Sequence, residues 1–258
     1  MAAASGSRVV VLGSSGAWPE PDGACSGFVI EHAGYRVVLD LGYGTLPGLL
    51  SHLGGVNADG IDAVVVSHHH PDHCIDVHGL FHARWFGRRG EPPIPLYAPR
   101  GVLDVILGLE ADDDRDDVFE MFDWHELPAE PYDLGPFRLD SWALPHYVPN
   151  AGVRLAADDL VVAYTGDTGP SPALVELARD ADLLIAQASE PTKSSTGSGS
   201  NYLAADEAAG VAATANVKRL LLSHFRPGTQ RAPYAAAARE HFTGEILIAE
   251  KGLVLDLR

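Results

Sequence analysis

Short apolar runs rich in Val, Ile and Leu, each closed by Gly, Pro, Asp or His, recur along the whole chain, and this recurrence restricts its fold more than any other feature. Runs of this length and composition read as buried strands. They fall at residues 8–12, 27–31, 35–39, 61–66, 94–98, 137–143, 152–155, 160–164, 183–186, 219–222, 245–249 and 253–257. Helical periodicity is clearest at 102–109, 173–179, 203–215 and 233–242. A strand meander that acquires helices, then a second half that alternates strand and helix and ends on two strands, fits two sheets packed face to face. The expected class is α/β, a four-layer αββα sandwich of two mixed β-sheets with helices on both outer faces.

A chain of 258 residues with 46% hydrophobic content can bury a sizeable core, and a single domain over 1–258 is expected. Two cysteines, Cys25 and Cys74, are too few for a disulfide framework and point to a reducing setting. The opening Met-Ala-Ala-Ala-Ser-Gly-Ser-Arg lacks the charged start and apolar stretch of a secretory signal, and no apolar run reaches membrane-spanning length. A cytoplasmic protein with no membrane partner is expected. The formal net charge of −17 argues against gripping long nucleic acid, whose phosphates need Lys and Arg in place of counterions. The acidic run Asp112, Asp113, Asp114, Asp116 and Asp117 reads as a solvated loop or a helix start. The stretch 194–200, Ser-Ser-Thr-Gly-Ser-Gly-Ser, predicts a flexible loop. Trp85, Phe86, Phe119 and Phe122 suit either a homodimer interface or ordinary core packing.

The segment with most chemistry is Ser67-His68-His69-His70-Pro71-Asp72-His73, directly after the strand at 61–66. It holds His-x-His-x-Asp-His. Imidazole and carboxylate are what a borderline cation such as zinc prefers, and a loop leaving a strand can turn alternate side chains toward one point. Pro71 stiffens that loop. His68, His70, Asp72 and His73 are the candidate ligands, with His69 pointing away. Alone, such a cluster leaves open an adventitious grouping or a mononuclear structural site as the lesser alternatives. Three further residues each close a strand candidate: His146 in Leu-Pro-His, Asp167 in Thr-Gly-Asp-Thr-Gly, and His224 after Leu-Leu-Leu-Ser. Singly, each reads as a polar residue at a strand end. Together they extend the candidate set.

These motifs, with Asp40 in Val-Val-Leu-Asp-Leu-Gly, resemble the metallo-β-lactamase superfamily over nearly all of the chain, and within it the ribonuclease Z-like and cyclic-nucleotide phosphodiesterase branch. The resemblance implies two divalent ions, zinc first and manganese or iron as alternatives. One would be held by His68, His70 and His146, the other by Asp72, His73 and His224, with Asp167 between them. Asp40 would steady the metal loop from behind. Gly13-Ser14-Ser15-Gly16 resembles the family's glycine-rich opening, although a lone glycine pair is weak evidence of phosphate binding and reads more readily as a plain turn.

Two cations a few ångströms apart acidify a water held between them and neutralise charge growing on a phosphoryl or acyl oxygen. Asp72 is the candidate to orient that water or take its proton, unless it serves as a ligand alone. The chain departs from the resembled branch at two positions. Gln187 stands where relatives carry Glu, and Asn201 where they carry His, a pair that in the family delivers a proton to the leaving group. Neither amide can donate a proton as an acid. The substrate's leaving group is then acidic enough to depart unaided, or another residue (His78, His82 or Glu190) supplies the proton, or the protein binds metal with little hydrolysis. The basic protruding arm of the transfer RNA-processing relatives is also missing. The leading expectation is a phosphodiesterase acting on a small, nucleotide-sized or cyclic phosphodiester; the alternative enzyme is a lactone, ester or amide hydrolase.

Overall fold

The computed structural model describes residues 6–193 and 201–257. The first half supplies β1 (Arg8–Gly13), β2 (Gly27–His32), β3 (Tyr35–Leu41), β4 (Ala63–Val65), β5 (Ile94–Ala98) and β6 (Phe122–Glu126). The second supplies β7 (Tyr132–Leu134), β8 (Phe137–Leu144), β9 (Asn150–Ala157), β10 (Leu160–Tyr164), β11 (Leu183–Gln187), β12 (Arg219–Ser223) and β13 (Glu245–Ile248), while β14 (Val254–Asp256) returns to pair with β1. Strand order is β14-β1-β2-β3-β4-β5-β6 in one sheet and β13-β12-β11-β10-β9-β8-β7 in the other, each mixing parallel and antiparallel pairs. Helices α1 (Thr45–Leu53), α2 (Pro71–Cys74), α3 (Asp76–Arg88), α4 (Arg100–Leu109) and α5 (Arg115–Met121) belong to the first half, and α6 (Ala173–Ala178), α7 (Ala205–Thr214) and α8 (Ala232–Arg239) to the second.

Side-chain alternation along the strands produces the layers. Val9, Val11, Phe28, Ile30, Val37 and Leu39 turn to one face of the first sheet and join the core shared with the second sheet. Their neighbours Val10, Leu12, Val29, Val38 and Leu41 turn to the other face and pack under the first-half helices, against Leu49, Leu80, Phe81 and Leu103. Both faces of a strand are buried, which is why these segments read as continuous apolar runs. The four-layer α/β sandwich is the fold expected from that pattern.

Several elements lie outside the strand and helix spans read from the sequence, among them β6, β7, α1 and α5. β6, Phe-Asp-Trp-His-Glu, contains no β-branched residue and forms a sheet edge. β7 is three residues long. α1 carries Pro47 and Gly48 in its first turns, where proline is tolerated because the N–H it lacks has no helical partner. α5 begins just beyond a short 3-10 turn, Asp112–Asp114, and takes Asp116 and Asp117 into its first turn, so the acidic run is a largely exposed helix start. Of the four aromatics considered for an interface, Phe122 is buried and Trp85 packs against the core, whereas Phe86 and Phe119 are exposed. The stretch 194–200 lies outside the described residues. Among the described residues no helix is long and apolar enough to cross a membrane.

Candidate metal centre

β3 and β4 run parallel, as do β10, β11 and β12, so the C-terminal ends of each group open on one edge of its sheet, where side chains leaving the strands can meet. His68 to His73 follow β4, His146 follows β8, Asp167 follows β10 and His224 follows β12. The Ser67 carbonyl accepts the Ala151 N–H at 2.9 Å and ties the loop after β4 to the second sheet.

Asp40 organises that loop. It is fully buried near the end of β3, with φ of 57°. Its Oδ1 accepts the Ser67 N–H at 2.7 Å, and its Oδ2 accepts the Ser67 hydroxyl at 2.9 Å, His73 Nδ1–H at 2.6 Å and the Tyr164 hydroxyl. Carboxylates accepting several donors in this way fix the orientation and tautomer of a ligand ring. Here the proton is held on Nδ1 of His73, and Nε2 is left to face the cluster.

Seven side chains converge in two overlapping groups. His68 Nε2 and His146 Nε2 each lie 3.1 Å from His70 Nδ1. His146 Nδ1–H donates to the Asn201 carbonyl at 2.9 Å. His68 Nδ1 faces the Ser67 hydroxyl at 3.0 Å, whose own proton goes to Asp40. His68 and His146 therefore turn Nε2 lone pairs toward His70. Burial, then the neighbouring histidines, hold His68 well below the ordinary imidazole range and lower His70 as well. On the other side, His224 Nε2 lies 3.0 Å from Asp167 Oδ2 and 3.2 Å from Asp72 Oδ2, and His73 Nε2 lies 3.4 Å from Asp167 Oδ1 and 3.5 Å from Asp72 Oδ2. Burial disfavours a charge on His224, yet Asp167 and Asp72 outweigh it and lift the ring to about 9. They do the same to His73, together with Asp40.

This arrangement fits divalent cations. Among the described residues, His73 Nε2 and Asp167 Oδ1 are buried without a hydrogen-bond partner, an omission that ordinarily costs about 1–3 kcal/mol per group. The donors group as His68, His70 and His146; as Asp72, His73 and His224; and as His68, His73 and Asp167, the last linking the other two. Imidazole nitrogens and carboxylate oxygens in such triads are the donor set of a borderline metal. His69 turns its ring to Gly101 at the start of α4 and takes no part.

The glycine-rich opening braces these candidate ligands. Ser14 to Gly16 pair with Phe225, the residue after His224. A Cβ on Gly16 would lie 2.6 Å from the His224 ring, and one on Gly13 would lie 2.2 Å from the Cys25 carbonyl, so close approach demands both glycines. Ala17, with φ of 61°, donates its N–H to Asp72 Oδ2 at 2.6 Å. Ser67, Tyr164, Ala17 and Ser189 are contributors that the sequence did not single out. Tyr164 and Ala17 meet partners 124 and 55 residues away in the chain, whereas Ser67 and Ser189 lie next to singled-out residues and show their part only once the chain is folded.

Gln187 and Asn201 both border the cleft. Gln187 Oε1 accepts the Thr168 N–H at 2.8 Å and the Leu203 N–H at 3.2 Å, and its Nε2 donates to the Ser189 hydroxyl at 3.1 Å. The cleft, about 330 Å³, is bordered by residues of both groups together with Tyr147 and Tyr202. It adjoins a lobe of about 300 Å³ lined by Trp18, Arg226 and Pro227, and Ala17, Ser189, Glu190 and His224 border both. His78 and His82 pair instead with Glu110.

A profile of the beta-lactamase superfamily domain matches residues 35–225. The chain belongs to that superfamily. It is 34% identical over 265 residues to the Mycobacterium leprae protein ML1173, covering 97% of this chain and 89% of that one. It is 27% identical to a ribonuclease Z of Halorubrum lacusprofundi, with 97% of each chain covered. The crystal structure of the metallo-beta-lactamase fold protein YhfI from Bacillus subtilis superposes with a TM-score of 0.83 at 26% identity, covering 96% of this chain and 99% of YhfI. The ribonuclease Z-like resemblance and the fold both hold, and the superfamily supports a metal-dependent hydrolase that binds divalent ions through His and Asp clusters.

Proposed function

We propose that the protein is a dinuclear metal hydrolase, zinc-loaded, that cleaves a small phosphodiester of nucleotide size. The observation that carries this reading is the pair of linked triads, with Asp167 facing both His73 and His224. His68, His70 and His146 would hold one ion, Asp72, His73 and His224 the other, and Asp167 would belong to both. Bound divalent ions supply Lewis-acid charge that acidifies water and offsets negative charge growing on a phosphoryl oxygen.

The chain's own residues do the rest. Ala17 N–H and His224 both address Asp72 Oδ2, which fixes the carboxylate beside the cleft, where it can orient a water or take its proton. Gln187 holds no acidic proton, and its amide is engaged by Ser189. Of the alternative donors, Glu190 borders the cleft, whereas His78 and His82 are committed to Glu110. Glu190 also pairs with Arg226 at 3.3 Å, which keeps a cation within the adjoining lobe. Trp18, 55% exposed beside that lobe, offers a π-face to a nucleobase, and Arg226 offers charge to a phosphate. These features favour a nucleotide-sized phosphodiester over a lactone or ester, and a small-molecule partner over long nucleic acid.

The test is turnover of bis(p-nitrophenyl) phosphate and of cyclic nucleotides by zinc-loaded protein, beside Asp167→Ala and Asn201→His. Metal-dependent cleavage that Asp167→Ala abolishes is expected, with Asn201→His gaining most on substrates that have basic leaving groups. Cleavage of a lactone or ester with no phosphodiester turnover would overturn the substrate class and leave the hydrolase standing. Inactivity on every substrate would move the reading to a binding role.

A further inference from the structure

A second cluster of metal-type donors lies on the first-half helices and shares no residue with the cleft. His78 and His82 are one turn apart on α3, so their rings emerge on the same side of the helix. Glu110 follows the last residue of α4, in extended conformation, and brings its carboxylate to them. His78 Nε2 lies 2.5 Å and His82 Nε2 3.2 Å from the same atom, Glu110 Oε1, and the two ring centroids are 4.5 Å apart. The donor atoms of all three side chains fall within 4.8 Å of one another.

The geometry points to a second metal site, a His78–His82–Glu110 triad that binds a divalent transition cation of the zinc class. Two imidazole nitrogens and one carboxylate are the donors such a cation selects, and three protein ligands leave a fourth position for water. The site is reachable: the His82 side chain is 44% exposed, while those of His78 and Glu110 are 24% and 13% exposed, so two donors are held by packing and one borders solvent. The buried face of α3 is fixed in the core through Val77, Leu80 and Phe81, and the Phe81 ring lies 5.0 Å from that of His82, which helps to set the direction of the rings. A cation here staples α3 to the end of α4. α3 begins two residues after Cys74, the end of the short helix that carries Asp72 and His73, so the staple would steady the helix adjoining the catalytic loop.

Glu110→Gln is the discriminating variant, because an amide oxygen still accepts from an imidazole N–H but is a much poorer ligand for zinc. Wild type, Glu110→Gln and a His78→Ala/His82→Ala double variant are stripped with chelator, equilibrium-dialysed against low-micromolar zinc chloride and assayed for bound zinc per chain. Wild type is expected to hold about one zinc more than either variant, with circular dichroism unchanged for Glu110→Gln. Equal zinc counts in wild type and Glu110→Gln would overturn the site and reduce the cluster to a hydrogen-bonded ion pair. The comparison is a difference between proteins with the same cleft, so it stands even where no substrate is cleaved.

Discussion

Asp40→Asn separates the charge of the residue behind the metal loop from its shape. The backbone at Asp40 has φ of 57°, a left-handed conformation that Asn accepts at least as readily as Asp, so no new strain enters. The side chain, however, meets four donors. If the new amide nitrogen took the Oδ2 position it would face three of them, the Ser67 hydroxyl, His73 Nδ1–H and the Tyr164 hydroxyl. The better orientation places it at Oδ1, opposite the Ser67 N–H alone. That orientation still forfeits one charge-assisted bond, worth about 1.5–3 kcal/mol, and leaves a buried N–H without an acceptor at about 1–3 kcal/mol. A loss of roughly 3–5 kcal/mol is expected from a total that for most proteins is about 5–15 kcal/mol. The remaining acceptor is uncharged, so His73 is held less firmly and zinc affinity should fall by about 10–100-fold. Urea unfolding of chelated protein reads the first effect, and competition with a chromophoric chelator reads the second. A stability change below about 1 kcal/mol with unaltered zinc affinity would refute the role given to Asp40.

At the far end of the first sheet, burial alone would raise the Glu31 carboxyl, but hydrogen bonds from Arg8, Arg36 and His52 outweigh it and hold it at about 2. Because the folded value lies below the unfolded one, this stabilisation is present above about pH 4.5 and is lost as pH falls toward 2. Glu31→Gln should cost about 1–2 kcal/mol at pH 7, a figure discounted for the partly exposed Arg8 and Arg36. Unfolding curves of the two proteins should then converge below pH 4; a constant gap would disprove the assignment. Gly16→Ala must push the His224 ring, which a Cβ would meet at 2.6 Å. Since displacement near 1 Å can cost on the order of 100-fold in rate, turnover should collapse while the unfolding midpoint moves little, and wild-type turnover would show that His224 needs no such placement. Trp18→Ala should raise KM for a cyclic nucleotide roughly tenfold, the lower part of the range for one base stacked on an aromatic ring, and leave kcat nearly unchanged. An unchanged KM would remove the nucleobase from that lobe.

The sandwich was legible because its strands are buried on both faces and therefore stand out as uninterrupted Val, Ile and Leu runs. The ligand candidates were legible because each closes such a run: His68 after β4, Asp167 after β10, His224 after β12. Elements whose residues face solvent or an edge were not. β6 has the composition of a loop and is a strand only because β5 offers it an edge to pair with. The supports of the site were hidden for a different reason. Tyr164 meets Asp40 across 124 residues of sequence, and Ala17 meets Asp72 across 55, so their importance arises from tertiary approach alone. The glycines at 13 and 16 were visible as a turn signal. Their packing against Cys25 and His224 was not.

Gln187 shows where reading by residue type stops. In the sequence it stands for a missing acid, and chemically that holds, since an amide cannot supply a proton to a leaving group. In the structure the same side chain braces the site. Its carbonyl accepts N–H groups from Thr168, the neighbour of Asp167, and from Leu203, two residues beyond the Asn201 carbonyl that orients His146. Its amino group donates to Ser189, whose hydroxyl faces His224 Nδ1 at 3.4 Å. With Nε2 of His224 given to the cluster, Nδ1 carries the proton and needs an acceptor. The Gln187 amino group cannot be one, so the Ser189 hydroxyl must be. A carboxylate at 187 would keep both backbone bonds and could accept from His224 directly, adding negative charge behind a cationic site. Gln187 therefore keeps the hydrogen-bonded scaffold around the candidate ligands while offering neither a charge nor an acidic proton to it, and on the proposed reading the chemistry would suit leaving groups that need neither.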